Sequence, residues 1–324
     1  MALRTRLTDL LDIEHPIVSA PMGFAAGGRL AAAVTNAGGF GMIGGGYGDR
    51  AWLTREFDEA SNTQVGCGFI TWSLESKPDL LDLVLARSPA AVMLSFGRPD
   101  DFAKRIKAAG SKLICQVQTL EHAKDAVRAG ADIIVAQGAE AGGHGMIRGT
   151  ITLVPEVADY LSSASPDTVL LAAGGIADGR GLAAALMLGA DGVLIGSRFW
   201  ASAEALVHPS LQARGVAVGG DETIRTTVLD VVRGFAWPSG FTARVVNNGF
   251  VRDWHGREAE LSDATVRQAE NDRYYAAMNS GDAENTGVWI GEAAGLMHDV
   301  RPAADIVSQI VQDAERHIRR FAHI

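Results

Sequence analysis

The chain has 324 residues, 47% of them hydrophobic, and a formal net charge of −9 at pH 7. This length suits one large domain or a domain with an appendage, and the acidic balance argues against a nucleic-acid partner because no basic stripe could neutralise phosphates. The two cysteines, Cys67 and Cys115, lie inside apolar runs and predict buried thiols in a reducing compartment. No apolar signal-peptide core or long apolar run occurs, so we expect a cytoplasmic protein that neither enters nor crosses a membrane.

Short apolar runs alternate with helical patterns from residue 16 to residue 199. Eight runs predict strands at 16–21, 41–44, 65–70, 91–96, 113–117, 133–136, 168–173 and 193–195. Helices are predicted between them, including 29–36, 78–86, 99–109, 120–129 and 179–188. Uniformly apolar strands that alternate with helices indicate a parallel sheet, and eight such units favour an α/β fold of the closed (β/α)8 type, the TIM barrel. An open dinucleotide-binding sheet is less favoured, since no G-x-G-x-x-G follows the first strand.

The pattern changes after residue 208. Residues 209–298 contain irregularly spaced charges, glycines and prolines, without visible alternation of strands and helices. We therefore expect a barrel formed by 1–208 and 299–324, with 209–298 as a smaller, mostly helical cap that binds substrate. Apolar residues at helical spacing predict a last amphipathic helix over 303–321 that packs on the barrel. Six cap aromatics could either close a pocket or form the core of a small domain: Trp237, Phe241, Trp254, Tyr274, Tyr275 and Trp289.

Two glycine turns, residues 174–175 and 196–197, follow the last two predicted strands. One βα unit separates them, which places both turns side by side on the carboxyl-terminal rim of a barrel. There the backbone N–H groups of Gly174, Gly175, Gly196 and Ser197 could surround a phosphate, and glycine lets the backbone approach the anion closely. The turns therefore predict a phosphate-bearing cofactor or substrate. Ordinary glycine-terminated turns are the alternative interpretation.

A glycine-rich loop after the sixth predicted strand carries a histidine. Residues 136–145 read A-Q-G-A-E-A-G-G-H-G, which places His144 at the rim. An imidazole there could transfer protons to or from a bound ligand, whereas a surface-loop histidine is the alternative. The pattern leaves the role of Glu140 open. No His, Cys, Asp or Glu cluster has the spacing of metal ligands, so no metal is expected.

Together these segments resemble the nitronate monooxygenases, formerly called 2-nitropropane dioxygenases. The histidine loop is the most specific of the matching motifs. The others are A-P-M at 20–22, C-Q-V-Q-T at 115–119, the A-A-G-G-I-A-D-G-R-G and L-G-A-D-G-V-L-I-G-S segments that contain the two glycine turns, Trp237-Pro238, and Arg244 with Asn247. The resemblance implies a barrel that binds FMN non-covalently. It also implies oxidation of alkyl nitronates, or of nitroalkanes, by dioxygen to a carbonyl compound and nitrite.

The same resemblance implies roles for individual residues. His144 would take a proton from a neutral nitroalkane, or would orient a substrate that is already an anion. The two glycine turns would hold the phosphate of FMN. The remaining implied contacts are Ala20, Pro21 and Met22 along the isoalloxazine, Gln116 near its pyrimidine side, and Gln137, Ala141, Gly142 and Gly143 beside the ribityl chain and ring.

The chain departs from the family pattern at two places. Gly68 stands in the third strand where many relatives carry Asn, so a flavin contact made by that side chain would be missing or replaced. After His144 the sequence reads G-M-I-R, whereas His-Arg-Gly is the commonest pattern. Arg148 could take the part of the displaced arginine. Both departures bear more on the substrate than on the cofactor.

Related barrels supply alternative functions. The main one is an FMN-dependent NAD(P)H reductase of quinones or enoyl thioesters, although quinone-reducing members tend to carry Lys where this chain has Gln116. IMP dehydrogenase shares the phosphate turns but needs a cysteine nucleophile on a loop, and the two cysteines here lie in predicted strands. A flavin- or phosphate-binding protein without turnover is a further alternative, and assembly as a homodimer is left open.

Overall fold

The computed structural model describes residues 3–321. Its strands are β1 (Ile17–Ser19), β2 (Met42–Gly46), β3 (Gly66–Ile70), β4 (Ala91–Ser95), β5 (Lys112–Val117), β6 (Ile133–Gln137), β7 (Gly143–Gly145), β8 (Val169–Ala173), β9 (Gly192–Ile195), β10 (Thr223–Thr226) and β11 (Thr242–Val246). Eight of them form one parallel sheet in the order β1-β9-β8-β6-β5-β4-β3-β2. A parallel bridge between Val18 and Phe40 brings its two edges together, so the sheet is nearly closed. The predicted TIM barrel is confirmed, and each predicted strand overlaps a strand of this sheet.

Helices surround the barrel and continue into the region before the last helix. They are α1 (Arg6–Leu11), α2 (Gly28–Asn36), α3 (Arg50–Glu59), α4 (Thr71–Leu74), α5 (Asp79–Leu85), α6 (Asp100–Ala108), α7 (Leu120–Arg128), α8 (Thr150–Ala164), α9 (Gly179–Met187), α10 (Ser197–Trp200), α11 (Pro209–Ala217), α12 (Val228–Arg233), α13 (Gly249–Trp254), α14 (Glu258–Leu261), α15 (Ala264–Ser280) and α16 (Ala303–Phe321), with 3-10 turns at Gly220–Glu222 and Glu292–Leu296. None of the helices formed by residues 3–321 is both long enough and apolar enough to cross a bilayer.

Alternate residues along the strands divide between two apolar clusters. Ile114 and Val135 belong to a cluster of strand residues that α1 closes at one end through Leu7, and this cluster fills the barrel interior. Leu113 and Ile134 face the other way and pack among residues of the surrounding helices. Strands buried on both faces explain why the apolar runs of the sequence are nearly continuous. The predicted last helix forms as α16 and packs mainly on α9 and α2.

Two strands lie within the mostly helical region 209–298, where the sequence pattern does not indicate them. β10 and β11 pair antiparallel, and β11 also pairs with β7 of the histidine loop. The sequences T-I-R-T and T-A-R-V-V are short and half polar, and β7 reads G-H-G, so none carries a strong strand signal. The small sheet ties this region to the barrel rim, because Ala243 of β11 pairs with His144 of β7.

Candidate active site

The residues predicted to contact a flavin lie near the carboxyl ends of five strands, or in the segments that follow them. These strands, β1, β9, β8, β6 and β5, are neighbours in the sheet. Ser19 pairs with Ile195 and Ala173 pairs with Leu194, so the segments that leave β1, β8 and β9 are adjacent at their carboxyl ends. The predicted residues lie on one continuous arc of the rim. Ala20, Pro21 and Met22 follow β1, Gln116 lies in β5, Gln137 ends β6, Ala141 and Gly142 lie in the histidine loop, Gly143 begins β7, and the glycine turns follow β8 and β9.

The first glycine turn has backbone angles that favour glycine. Gly174 and Gly175 have φ angles of +100° and +74°, a region that L side chains rarely adopt. A Cβ on Gly174 would lie 2.9 Å from the carbonyl oxygen of Gly138, so this position requires glycine. Among the described residues, none accepts a hydrogen bond from the four backbone N–H groups of the two turns. These four donors are available to an anion at the rim.

The side chain of Ser197 connects the second glycine turn to the cap by a hydrogen bond. The Oγ atom of Ser197 accepts a hydrogen bond from the backbone N–H of Gly291 at 2.9 Å. The next residue, Glu292, donates its backbone N–H to the carbonyl oxygen of Glu140 in the histidine loop, also at 2.9 Å. Two consecutive cap residues therefore hold both the second glycine turn and the histidine loop.

The structure assigns roles to Glu140 and Arg148, which the sequence left open. Both carboxylate oxygens of Glu140 accept the backbone N–H of Thr150 at 3.0 Å, and one accepts its hydroxyl at 2.9 Å. Glu140 thus caps the amino terminus of α8, where a carboxylate stabilises a helix. Arg148 pairs with Glu156 and donates to the carbonyl oxygen of Thr152, so it is directed at α8 and away from His144.

A network of three glutamines positions the backbone of His144. The Nε2 group of Gln137 donates to the carbonyl oxygen of His144 at 3.0 Å. The Oε1 atom of Gln137 accepts from the Nε2 groups of Gln116 and Gln118, at 3.2 and 2.9 Å. The predicted residues Gln116 and Gln137 are thus in contact with each other and with the histidine loop. Gln118, part of the C-Q-V-Q-T motif, completes the network.

His144 lies in a buried polar contact covered by an aromatic ring. Its Nε2 atom is 2.9 Å from each carboxylate oxygen of Asp230, and its ring stacks on Trp237 with centroids 3.4 Å apart and planes 8° apart. Only 9% of the His144 side chain and 4% of the Asp230 side chain are exposed. Burial lowers the pKa of His144 below its ordinary value, against the opposing effect of Asp230 and with a smaller contribution from the charges of Arg233 and Arg225. This direction favours the neutral imidazole.

Seven aromatic residues, here called the aromatic cluster, surround this contact. The Trp237 indole Nε1 donates to the hydroxyl of Tyr47 at 3.0 Å, and Tyr47 stacks on Phe235 with centroids 3.8 Å apart. Phe96 lies edge-on to both Trp237 and His144. Burial raises the pKa of Tyr47 to about 12, so its hydroxyl stays protonated. The members of the cluster are Tyr47, Trp72, Phe96, Phe235, Trp237, Phe241 and Trp289.

The six cap aromatics of the sequence analysis divide between the two interpretations. Trp237, Phe241 and Trp289 belong to the aromatic cluster beside His144. Tyr274 is buried in a separate apolar cluster of the cap, against which Trp254 packs, and Tyr275 is 38% exposed. Half of the set thus lies at the site and the rest builds or borders the cap core.

The two cysteines are packing residues. Cys67 and Cys115 are buried and free, and burial raises the pKa of Cys115 to about 12, so neither resembles a reactive thiolate.

Gly68 lies against the ring of Pro21. A Cβ on Gly68 would lie 2.2 Å from Cγ of Pro21. An Asn at this position, which the family pattern would place here, therefore requires Pro21 to move. The position of the Pro21 ring explains why this chain has glycine at residue 68.

A cavity of about 340 Å³ adjoins the aromatic cluster at the carboxyl ends of β4 and β5. Phe96, Gln116, His122 and Phe241 contribute to its walls. A larger groove of about 450 Å³ lies around Arg6, at the amino ends of the strands. The smaller cavity lies at the carboxyl ends of the strands, where TIM barrels carry out their chemistry, and of the predicted flavin contacts Gln116 lines it.

Several residues of the site carry no sequence signal that identifies them. Asp230 and Arg233 form an ordinary i, i+3 pair in the otherwise apolar segment V-L-D-V-V-R, and such a pair does not by itself indicate a site. Tyr47 and Phe96 follow β2 and β4, so their positions at strand ends could have marked them as rim residues. Phe96 also has a φ angle of +64°, which is unusual for a bulky side chain and occurs most often at functional sites.

The fold and the rim define a TIM-barrel enzyme, and comparison with known proteins identifies its family. A family model described as nitronate monooxygenase matches residues 4–64 and 57–313. The nitronate monooxygenase of Neurospora crassa is 33% identical over 94% of this chain and 90% of that protein. The chain belongs to the nitronate monooxygenase family, as the sequence motifs predict, and is a flavin-dependent oxidoreductase.

Solved structures agree with this assignment. FabK from Thermotoga maritima superposes with a TM-score of 0.86 and 32% identity, with 99% of each chain covered. A nitroalkane oxidase from Streptomyces ansochromogenes superposes with a TM-score of 0.82 and 25% identity, over 98% of this chain and 100% of the other. The likeness extends through the barrel and the cap in both cases.

Proposed function

We propose that this protein binds FMN and uses it to oxidise alkyl nitronates with dioxygen, giving a carbonyl compound and nitrite. The observation that carries the proposal is the arrangement of four unused backbone donors and a buried histidine, held by Asp230, on one arc of the rim. The names of the Neurospora relative and the Streptomyces structure support nitronates and nitroalkanes as substrates.

The residues of the rim fit FMN. Its terminal phosphate is a dianion, and backbone N–H groups of two adjacent turns that have no protein acceptor can stabilise such a charge. The glycine turns would hold the phosphate. When bound, FMN supplies the redox chemistry, since a flavin can take electrons from the nitronate and pass them to dioxygen. The other predicted contacts would border the ribityl chain and ring: Ala20, Pro21, Met22, Gln116, Gln137, Ala141, Gly142 and Gly143.

His144 would act on the proton of a neutral nitroalkane. The hydrogen on the carbon beside the nitro group is acidic, and a neutral imidazole can accept it while the electron pair of the C–H bond stays on the substrate as the nitronate. Burial under Trp237 favours the neutral form of His144, which this step needs. A substrate that is already a nitronate needs no such step, and His144 would then orient it.

The space beside the aromatic cluster favours a small substrate. The cavity of about 340 Å³ has the size of a small-molecule site, and its walls combine apolar Phe96 and Phe241 with polar Gln116. The aromatic cluster also shields His144 from water, which strengthens electrostatic interactions in the site. We infer that residues 1–208 and 299–324 form the FMN-binding barrel, that 209–298 form the cap, and that the two free thiols fit a reducing compartment such as the cytoplasm.

The test is an anaerobic half-reaction. FMN-loaded protein is mixed with propionate 3-nitronate in one sample and with NADH in another, while the visible absorption of the flavin is followed. We expect bleaching by the nitronate and none by NADH, with nitrite and the oxidised flavin recovered after air is admitted. Bleaching by NADH alone would reject the proposal in favour of an NAD(P)H-dependent reductase of quinones or enoyl thioesters. Bleaching by neither would favour a flavin-binding protein without turnover.

A further inference from the structure

One carboxylate holds the imidazole of His144 by a single ring nitrogen. Asp230 contacts Nε2 through both of its oxygens, each at 2.9 Å, while no described residue forms a hydrogen bond with Nδ1. A neutral imidazole carries one proton, and a carboxylate can only accept. The contact therefore places the proton on Nε2 and leaves the lone pair on Nδ1.

Asp230 is itself fixed by groups from its own helix. Its Oδ1 atom accepts from the guanidinium of Arg233 at 2.9 Å, one turn further along α12. Arg233 also donates to the carbonyl oxygen of Leu229 and lies over the ring of Trp289, with its guanidinium carbon 4.6 Å from the ring centroid. Asp230 lies in the first turn of α12, where the helix dipole favours a negative charge. These contacts give the carboxylate one orientation.

The titratable groups around His144 and Asp230 come from three elements. Arg233 lies on α12 with Asp230, and Arg225 lies on β10. Tyr47, whose hydroxyl is neutral, follows β2. Arg233 compensates the buried charge of Asp230, because a buried carboxylate next to a neutral imidazole would otherwise be costly. The arrangement keeps a carboxylate and a neutral histidine together in a site that excludes water.

We propose that Asp230 is a positioning residue, which holds His144 as the Nε2–H tautomer and thereby makes Nδ1 the atom that accepts the substrate proton. In the proton transfer, the C–H bond of a neutral nitroalkane breaks, its electron pair stays on the substrate as the nitronate, and the proton forms an N–H bond at Nδ1. Asp230 stabilises the imidazolium that results. This inference rests on the proposed function and extends it to a residue 86 positions from His144.

The kinetic test compares two substrates in the FMN-loaded enzyme. D230N keeps the shape of the side chain but removes its charge. We expect kcat/KM for a neutral nitroalkane to fall by about 10²–10³-fold, within the 10²–10⁴-fold range attributed to general-base catalysis, and kcat/KM for the corresponding nitronate to fall by less than about threefold. The acid limb of the pH profile should also move to lower pH, because loss of the carboxylate that favours the imidazolium lowers the pKa of His144. An equal loss on both substrates, or no loss on either, would overturn the proposal.

A matched control separates this effect from the loss of any buried ion pair. Asp299 pairs with the buried guanidinium of Arg198 at 2.7 Å, away from His144. D299N should leave the ratio of the two kcat/KM values unchanged. A change of that ratio in D299N as large as in D230N would show that the effect is not specific to Asp230 and would overturn the proposal.

A second measurement does not depend on turnover or on the folding of a variant. Wild-type FMN-loaded protein labelled with ¹⁵N-histidine is studied by NMR near neutral pH, and the His144 signals are identified by their loss in H144Q. We expect a protonated Nε2 and an unprotonated Nδ1. The opposite tautomer would overturn the role of Asp230 even if nitronates are oxidised, whereas the expected tautomer in a protein that oxidises no nitro compound would reject the proposed function and leave the pairing established.

Discussion

The two sides of the site differ in what builds them. On the side proposed to bind the phosphate, here called the phosphate side, two glycine turns at neighbouring strands have backbone N–H groups without a protein acceptor. On the proton-transfer side, His144 is held by Asp230 and covered by Trp237, which reach it from a helix and a loop of the cap. The first side is made of main chain and the second of side chains that the fold brings together.

This difference determines what each side can tolerate. A backbone site depends on dihedral angles that side chains cannot adopt, so its weakness lies in substitutions of glycine. A side-chain site depends on contacts between distant elements, so its weakness lies in any partner of the central residue. We expect changes on the phosphate side to affect cofactor affinity, and changes on the other side to affect proton transfer in a protein that still binds FMN.

The largest effect is expected on the proton-transfer side. H144A should lower kcat/KM for a neutral nitroalkane by about 10²–10⁴-fold, because it removes the general base, and should leave FMN bound. Steady-state kinetics with the nitroalkane, together with the absorption spectrum of the bound flavin, check both parts. H298A, which removes an exposed histidine, is the control and should behave like the wild type. Equal activity of H144A and wild type would remove His144 from the mechanism.

A smaller effect is expected on the phosphate side. In G174A the new Cβ would approach the Gly138 carbonyl oxygen at 2.9 Å with φ at +100°, so the turn must shift. A strained backbone residue costs about 1–3 kcal/mol, and we expect FMN affinity to fall by at least about tenfold. Titration of the apoprotein with FMN measures this loss.

The control for this substitution is another left-handed glycine outside the site. Gly110 follows α6 with φ at +82° and has open space where a Cβ would be placed. G110A should lower the free energy of unfolding by a similar amount, yet leave the dissociation constant of FMN unchanged. If both variants lost FMN equally, backbone strain in general, and not the glycine turn, would be responsible.

The smallest effect is a shift in pH dependence. Burial lowers the pKa of His144, and Trp237 supplies part of that burial. In W237A the imidazole gains water, so its pKa should rise toward the ordinary value of 6.5. Because the base must be neutral, the acid limb of the nitroalkane pH profile should move to higher pH. W237F retains a stacked ring and should leave that limb in place, whereas a shift as large as in W237A would assign the effect to the lost hydrogen bond with Tyr47.

The sequence predicts the barrel because its signals are local. Apolar runs mark all eight strands of the barrel, and each run overlaps the strand that it predicts. The glycine turns are equally local, since Gly174 and Gly196 each follow directly on a strand. The histidine loop is recognisable for the same reason. A motif made of contiguous residues can be recognised from the sequence alone.

The rest of the site has no contiguous signal. Asp230 meets His144 only because β11 pairs with β7 and brings the cap to the rim. Tyr47, Phe96 and Trp237 belong to three separate segments, and nothing in their spacing indicates that they meet. Glu140 is intermediate, because its partner Thr150 lies ten residues away but faces it only once α8 has formed. Long-range side-chain contacts of this kind require the folded structure.

The most direct test of the central claim is a comparison of FMN with riboflavin. We propose that the backbone N–H groups of the glycine turns bind the phosphate, which riboflavin lacks. Fluorescence titration of the apoprotein should show FMN bound at least about 100-fold more tightly than riboflavin, or about 2.8 kcal/mol, as expected for a few charge-assisted hydrogen bonds. Equal affinities for the two ligands would contradict the account.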